Sequence, residues 1–304
     1  MSLSKEEKRW IVVGITMNKV AAPVLRDAVK QGMETHHANL DKHCQGLAPS
    51  CTLQSLTHAV VKSPASIFRN LKFRNINDNE NLHGTAERKY NYKINDSIDL
   101  AKLYLPGYLA QFSAFEALDM TAILRLLGYN NYVPTSVFHS DTQNSADDVR
   151  ENVRNKWGHY NETEWTDTFF HDCFDKMKTL VKSLGLTADV EENTLAQFVE
   201  WQSKGCQLIM GNNVDRELLQ SILCEVKVLV NVFTTIQSQL GNRLPEAKKE
   251  EVPDVLPRLQ SFEQQLSRGL ALEGLKGWVE TLLWLGIPLG VPFWLPAWLS
   301  FWRR

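Results

Sequence analysis

The chain has 304 residues, of which 43% are hydrophobic and 22% charged, and its net charge is -2 at neutral pH. This is the composition of a folded protein, long enough for two compact units and a tail. The near-neutral balance excludes a general polyanion binder, so any nucleic-acid contact has to come from a local basic surface. Cys44, Cys51, Cys173, Cys206 and Cys224 are odd in number and contain no C-x-x-C pair, so neither a disulfide framework nor a zinc ribbon is expected. His36, His37, His43 and Cys44 lack the second half of a metal-ligand set, and no metal is predicted there.

Lys5, Glu6, Glu7, Lys8 and Arg9 precede an apolar run from Trp10 to Met17 with no small-residue cleavage site, so a cytoplasmic location is expected. Helical spacing continues through Val20, Val24 and Ala28 to about Leu40, and Pro23 is expected to kink this helix or start a second. Residues 1–62 read as an N-terminal helical segment. Residues 62–97 read as irregular, because clustered Asn side chains bond their own backbone. Arg69, Lys72 and Arg74 lie there among Phe68, Phe73, Tyr90 and Tyr92. Cations among aromatics suit single-stranded nucleic acid; the alternative is a solvated loop with its rings packed inward.

A helix is expected from about Leu109 to Leu127, with Gly128 as its stop. Ser145 reads as the N-cap of another helix over Ala146–Tyr160. A further helix from Thr163 or Glu164 is expected to end at Gly185. Residues 63–190 are read as one helical domain and 191–240 as a helical segment with a heptad seam. Within that segment, Asn193–Lys204 is expected to stop at Gly205. The seam consists of Leu219, Ile222, Val226, Leu229, Phe233, Ile236 and Leu240. It serves equally a coiled-coil dimer or packing inside a bundle. Residues 241–274 read as a linker and 275–304 as a hydrophobic tail.

Thr281 to Trp302 contains 22 residues without a charge, long enough to cross a bilayer core, with tryptophans suited to its interfaces. Pro288, Pro292 and Pro296 oppose a simple spanning helix, because each removes a backbone donor. Membrane contact through residues 281–302 is therefore one expectation. An interfacial segment and a packed hydrophobic end are the others.

The chemistry lies in ADDVRENVRNKWGH, residues 146–159. On one helix Asn155 and His159 share a face, while Arg154 sits about 140° away from His159 and reaches the same edge by its length. An imidazole can take the proton of an RNA 2′-hydroxyl, and a guanidinium can hold the phosphate as charge develops. With the 2′-hydroxyl as internal nucleophile, the reaction requires no metal or other cofactor. Spacing alone makes Arg-x4-His a weak signal.

The stretch from Ala146 to Leu186 also resembles HEPN domains of the kind found in the DAZ-interacting ubiquitin ligase. The resemblance rests on Asp148, Val149, Arg150, Arg154, Asn155, Gly158, His159 and the Leu184-Gly185 stop. It covers about residues 97–187. It implies an all-α helical bundle of the HEPN type, with flanking helices and the tail added, working as a homodimer and directed at RNA. For catalytic members it implies metal-independent cleavage leaving a 2′,3′-cyclic phosphate. Arg154, Asn155 and His159 would be the catalytic set, and Arg150, Lys156, Arg69, Lys72 and Arg74 would contact RNA. Glu116 and Asp119 could orient His159, although a solvated helix face explains them as well. The competing expectation is a non-catalytic oligomerisation or adaptor module of innate-immune-type signalling, tethered to a membrane by its tail.

Overall fold

Ser4 opens the first helix through a reciprocal cap: its hydroxyl accepts from the Glu7 amide at 3.1 Å, and the Glu7 carboxylate accepts from the Ser4 amide at 2.9 Å. The computed structural model describes residues 3–47, 51–64, 66–82, 86–128, 133–211, 216–241, 255–268 and 270. Helix α1 is Lys5–Thr16, a π turn covers Met17–Ala21, and α2 is Ala22–Leu47. Pro23 accounts for the interruption. It has no amide for the carbonyl four residues back, and the Ala22 amide reaches five back, to Met17 O.

The protein is all-helical, with no strand among the described residues. After α2 come α3 (His58–Val61), α4 (Ser97–Tyr104), α5 (Met120–Leu127), α6 (Ser140–Val149), α7 (Asn155–Gly158), α8 (Asp167–Ser183), α9 (Ala188–Met210) and α10 (Arg216–Gly241). Residues 256–268 form a further helix, α11, inside the stretch expected to be a linker. Val255, Leu259, Phe262 and Leu266 put its apolar stripe into the core. Residues 281–302 lie outside the described residues.

Helix α1 is central. It packs on α8 and α9, while α2 packs on α4 and α5. Segment 1–62 and domain 63–190 therefore share one core. A reciprocal junction joins α1 to α7. The Trp10 indole donates to Trp157 O at 2.8 Å and the Trp157 indole donates to Trp10 O at 3.1 Å. Their rings stack at 5.5 Å. Both large apolar side chains are thus buried with their polar N–H groups satisfied. Arg9 adds a second tie, donating to Trp165 O at 3.0 Å just before α8.

Gly14 makes the junction possible. A Cβ there would lie 2.4 Å from the Trp157 indole nitrogen, in a ring held on both sides. Gly14→Ala is expected to lower the unfolding free energy by about 1–3 kcal/mol through overpacking, read as a fall in the urea midpoint at unchanged slope.

In the Asn-rich stretch, side chains bond the stretch's own backbone, as Asn79 does to Phe73 O at 2.8 Å and Asn77 to Lys93 O at 2.7 Å, and also backbone beyond it. Asn75 donates to Lys102 O and Leu105 O, each at 2.8 Å, and Asn79 donates to Asn91 O at 2.9 Å. The amides replace the ladder that this irregular segment lacks, and that of Asn75 ties it to the end of α4.

Several helix limits also differ from expectation. Residues 110–119 are irregular apart from a 3-10 turn at Phe115–Ala117, and α5 begins only after Asp119, whose carboxylate accepts from the Ala122 amide at 2.7 Å. Helix α6 starts at Ser140 rather than near Ser145. Its polar residues Thr142 and Gln143 are buried and bond Ser183 O and Val133 O. Helix α9 passes through Gly205, where a Cβ would meet Phe170 at 2.8 Å and Val12 at 2.9 Å. It stops at Gly211 (φ 69°).

On α10, Leu218, Ile222, Val226 and Leu229 are buried in the single chain, and Phe233 meets the Trp157 ring at 5.3 Å. The central seam residues therefore face this chain's own core, which is the bundle alternative. By length and composition alone, Arg216–Thr235 of α10 is also apolar enough to cross a membrane.

Candidate anion site around Arg154

The motif does not lie on a continuous α-helix. A π turn occupies Arg150–Arg154, closed by the Asn155 amide on Arg150 O. Its wider turn puts Val149, Val153 and Trp157, four apart each time, on one buried stripe. Arg150 and Arg154 share that four-residue spacing beside the stripe and are half-buried. Helix α7 then ends at Gly158, and His159 caps it with φ -111° and ψ 64°.

Arg154 is enclosed by charge it does not neutralise. Its guanidinium donates to Asn155 Oδ1 at 3.1 Å, and no direct ion pair holds it among the described residues. Burial pushes its pKa below the usual arginine value. Asp119 and Tyr108 oppose that shift, while the like charges of Arg125 and Arg150 add to it. Partial burial and then Arg125 likewise lower Lys72. Arg150 is anchored, with Nη2 3.2 Å from Asp147 and 3.0 Å from Glu151. Arg26 lies in the field of the same Asp119 and donates to Leu118 O at 2.8 Å. Lys72, Arg125 and the Arg150–Arg154 pair, from three separate stretches, thus form a run of like charges, Lys72 in the field of Arg125, and Arg125 and Arg150 in that of Arg154, whose acidic neighbour Asp119 already caps α5.

Of the predicted RNA contacts, Lys72 and Arg150 join this cluster. Arg69 and Arg74 are exposed on the loop before α4. Lys156 points elsewhere, 3.9 Å from Glu164 and 5.0 Å from the centre of the Phe169 ring. Phe68, Phe73 and Tyr92 are buried and Tyr90 is half-buried, so three of the four rings pack inward. Sequence reasoning missed Arg125, Arg26 and Tyr108. A usable signal was present for Arg125, the sole charged residue in the otherwise apolar run MTAILRLL.

The His159 amide donates to Asn155 O at 2.9 Å, while its imidazole is exposed and makes no hydrogen bond or ion pair among the described residues. No bond joins it to Arg154, Glu116 or Asp119. Glu116 instead lies 3.8 Å from Lys30. The chain turns at His159 toward Tyr160, which lines a cavity of about 310 Å³ with Trp10, Arg258 and Phe262.

The histidines near the end of α2 have a structural role at His36. It is buried, with Nε2 2.8 Å from the Tyr104 hydroxyl. Burial, then the neighbouring His37, hold its pKa down to about 4. The unfolded state binds this proton nearer pH 6.5, so the stability gained from neutral His36 is complete above that pH and is lost as pH falls toward 4. The loss is expected to be about 3 kcal/mol across that window. Urea midpoints measured from pH 7 to 4 should fall more steeply for the wild type than for His36→Gln.

Comparison of the chain with protein-family models, with curated proteins and with solved structures finds no match. Fold and site together define an all-helical protein with a half-buried arginine cluster at a π turn.

Proposed function

We propose that this protein is an RNA-directed module of the HEPN type that binds the sugar–phosphate backbone at the Arg154 cluster. One observation carries the reading: Arg154 lies half-buried beside Arg125 and Arg150 with no direct ion pair among the described residues. Gathering like charges in a place of reduced solvation is unfavourable, and a bound phosphate relieves it. The two-pronged guanidinium matches a phosphodiester, and the exposed Lys72, Arg69 and Arg74 extend positive charge away from the cluster.

Cleavage is the further step of this reading. Arg154 and His159 are not joined within one chain, so a cleaving site pairs the His159 of one copy with the Arg154 of another. The imidazole then removes the 2′-hydroxyl proton, the 2′-oxygen attacks phosphorus, and the 5′-oxygen leaves with a proton from solvent, giving a 2′,3′-cyclic phosphate. Purified protein incubated with single-stranded RNA in EDTA is expected to yield that end group, and His159→Ala to abolish it while binding persists. Cleavage that requires added Mg2+ contradicts the mechanism. Absence of binding contradicts the reading as a whole.

A second reading, a non-catalytic assembly module, is favoured by apolar side chains left exposed on α9 and α10: Val199 (59%), Met210 (71%) and Val228 (50%). If His159→Ala keeps both the oligomeric state and every cellular effect, this reading displaces catalysis.

A further inference from the structure

Two of the five cysteines meet where the chain returns to the end of α2. Cys44 lies near the C-terminal end of that helix and is fully buried, whereas Cys51 is half-exposed and packs against the same core. The Asp41 carboxylate, one turn before Cys44, fixes the return. One oxygen accepts from the Leu53 amide at 3.0 Å and the other from the Gln45 side-chain amide at 3.0 Å. The thiols of Cys44 and Cys51 lie close enough for each to fall in the other's field. Neither thiol belongs to the Arg154 cluster, and the proposed RNA site makes no use of either.

We propose that Cys44 and Cys51 form a reversible disulfide that locks residues 51–53 onto the end of α2 when the surroundings become oxidising. The geometry sets the order of events. A small disulfide such as glutathione disulfide reaches Cys51 first, because that thiol is accessible. The Cys51 sulfur attacks one glutathione sulfur and releases the other glutathione as thiol, leaving a mixed disulfide on Cys51. Cys44 then gives up its proton to solvent and attacks the Cys51 sulfur. The Cys51–glutathione bond breaks and the second glutathione leaves. Two cysteine thiols are oxidised and one glutathione disulfide is reduced to two glutathiones. Burial, and after it the adjacent Cys51, push the Cys44 thiol up to about 12, so it stays protonated and serves as the slow resolving group rather than the first to react.

The test uses the full chain, treated with glutathione disulfide, blocked with a maleimide under denaturing conditions and mapped by mass spectrometry without reduction. The expected result is a peptide spanning or joining Cys44 and Cys51 that has lost two hydrogens. It should form at a rate independent of protein concentration and revert with dithiothreitol. Cys44→Ser should stop at the Cys51–glutathione adduct. Accumulation of that adduct in the wild type with Cys44 still open to maleimide would overturn the proposal. So would Cys51 that never reacts, or bridges from Cys51 to Cys206, Cys224 or a second chain.

Discussion

Replacing Trp157 with alanine is expected to remove about 3–5 kcal/mol of stability, a large share of what a domain of ordinary stability possesses. The indole is buried, stacks on Trp10 at 5.5 Å, meets Phe233 at 5.3 Å and donates to Trp10 O at 3.1 Å. Its loss opens a cavity and also leaves Trp10 O without its donor. Urea unfolding followed by circular dichroism measures the change. The same experiment on Gly14→Ala and on the double variant tests the contact directly. The alanine methyl fills space vacated by the ring, so the double variant should be less destabilised than the sum of the single ones. Simple additivity would show that residues 14 and 157 do not meet.

The second large effect concerns binding. Arg154→Gln is expected to weaken affinity for single-stranded RNA about tenfold to a hundredfold, the worth of one to two charge-assisted bonds to phosphate. Stability should move in the opposite sense to that of a structural arginine. Glutamine loses the bond to Asn155 but removes a cation from beside Arg125 and Arg150, so the melting temperature should stay level or rise. An arginine retained only for packing would show the reverse pattern, with a lower melting temperature and unchanged RNA affinity. Lys182→Gln serves as a reference, because that side chain is exposed near the end of α8 and is no member of the proposed RNA surface.

The all-helical class was legible because helical periodicity runs through nearly every apolar segment. The spacing of Phe174, Met177 and Leu180, all buried, needs no tertiary information to be recognised. Helix ends were less legible because glycine carries two meanings. Gly185 and Gly211 have positive φ and end helices, whereas Gly205 sits inside α9 to let Phe170 and Val12 approach. The sequence marks all three alike. The motif segment was legible as helix but not as a π turn, since the extra residue answers to burial of Val149, Val153 and Trp157 together, a demand set by packing on α5, α8 and α1. The docking of Trp10 on Trp157 was invisible for the same reason: the residues are 147 positions apart and each bonds a backbone carbonyl. Arg154 and Arg150 stood out in the motif. Their companions Lys72 and Arg125 could be grouped with them only once the chain was folded.

The central claim is that the Arg154 cluster is a seat for phosphate. Its most direct test is the salt dependence of binding to a short single-stranded RNA, compared between the wild type and Arg154→Gln. The log of the wild-type association constant should fall steeply and linearly with log salt, and the variant should lose about 0.7 from the slope, the share of one phosphate contact. Two parallel lines, or binding indifferent to salt, would contradict the account.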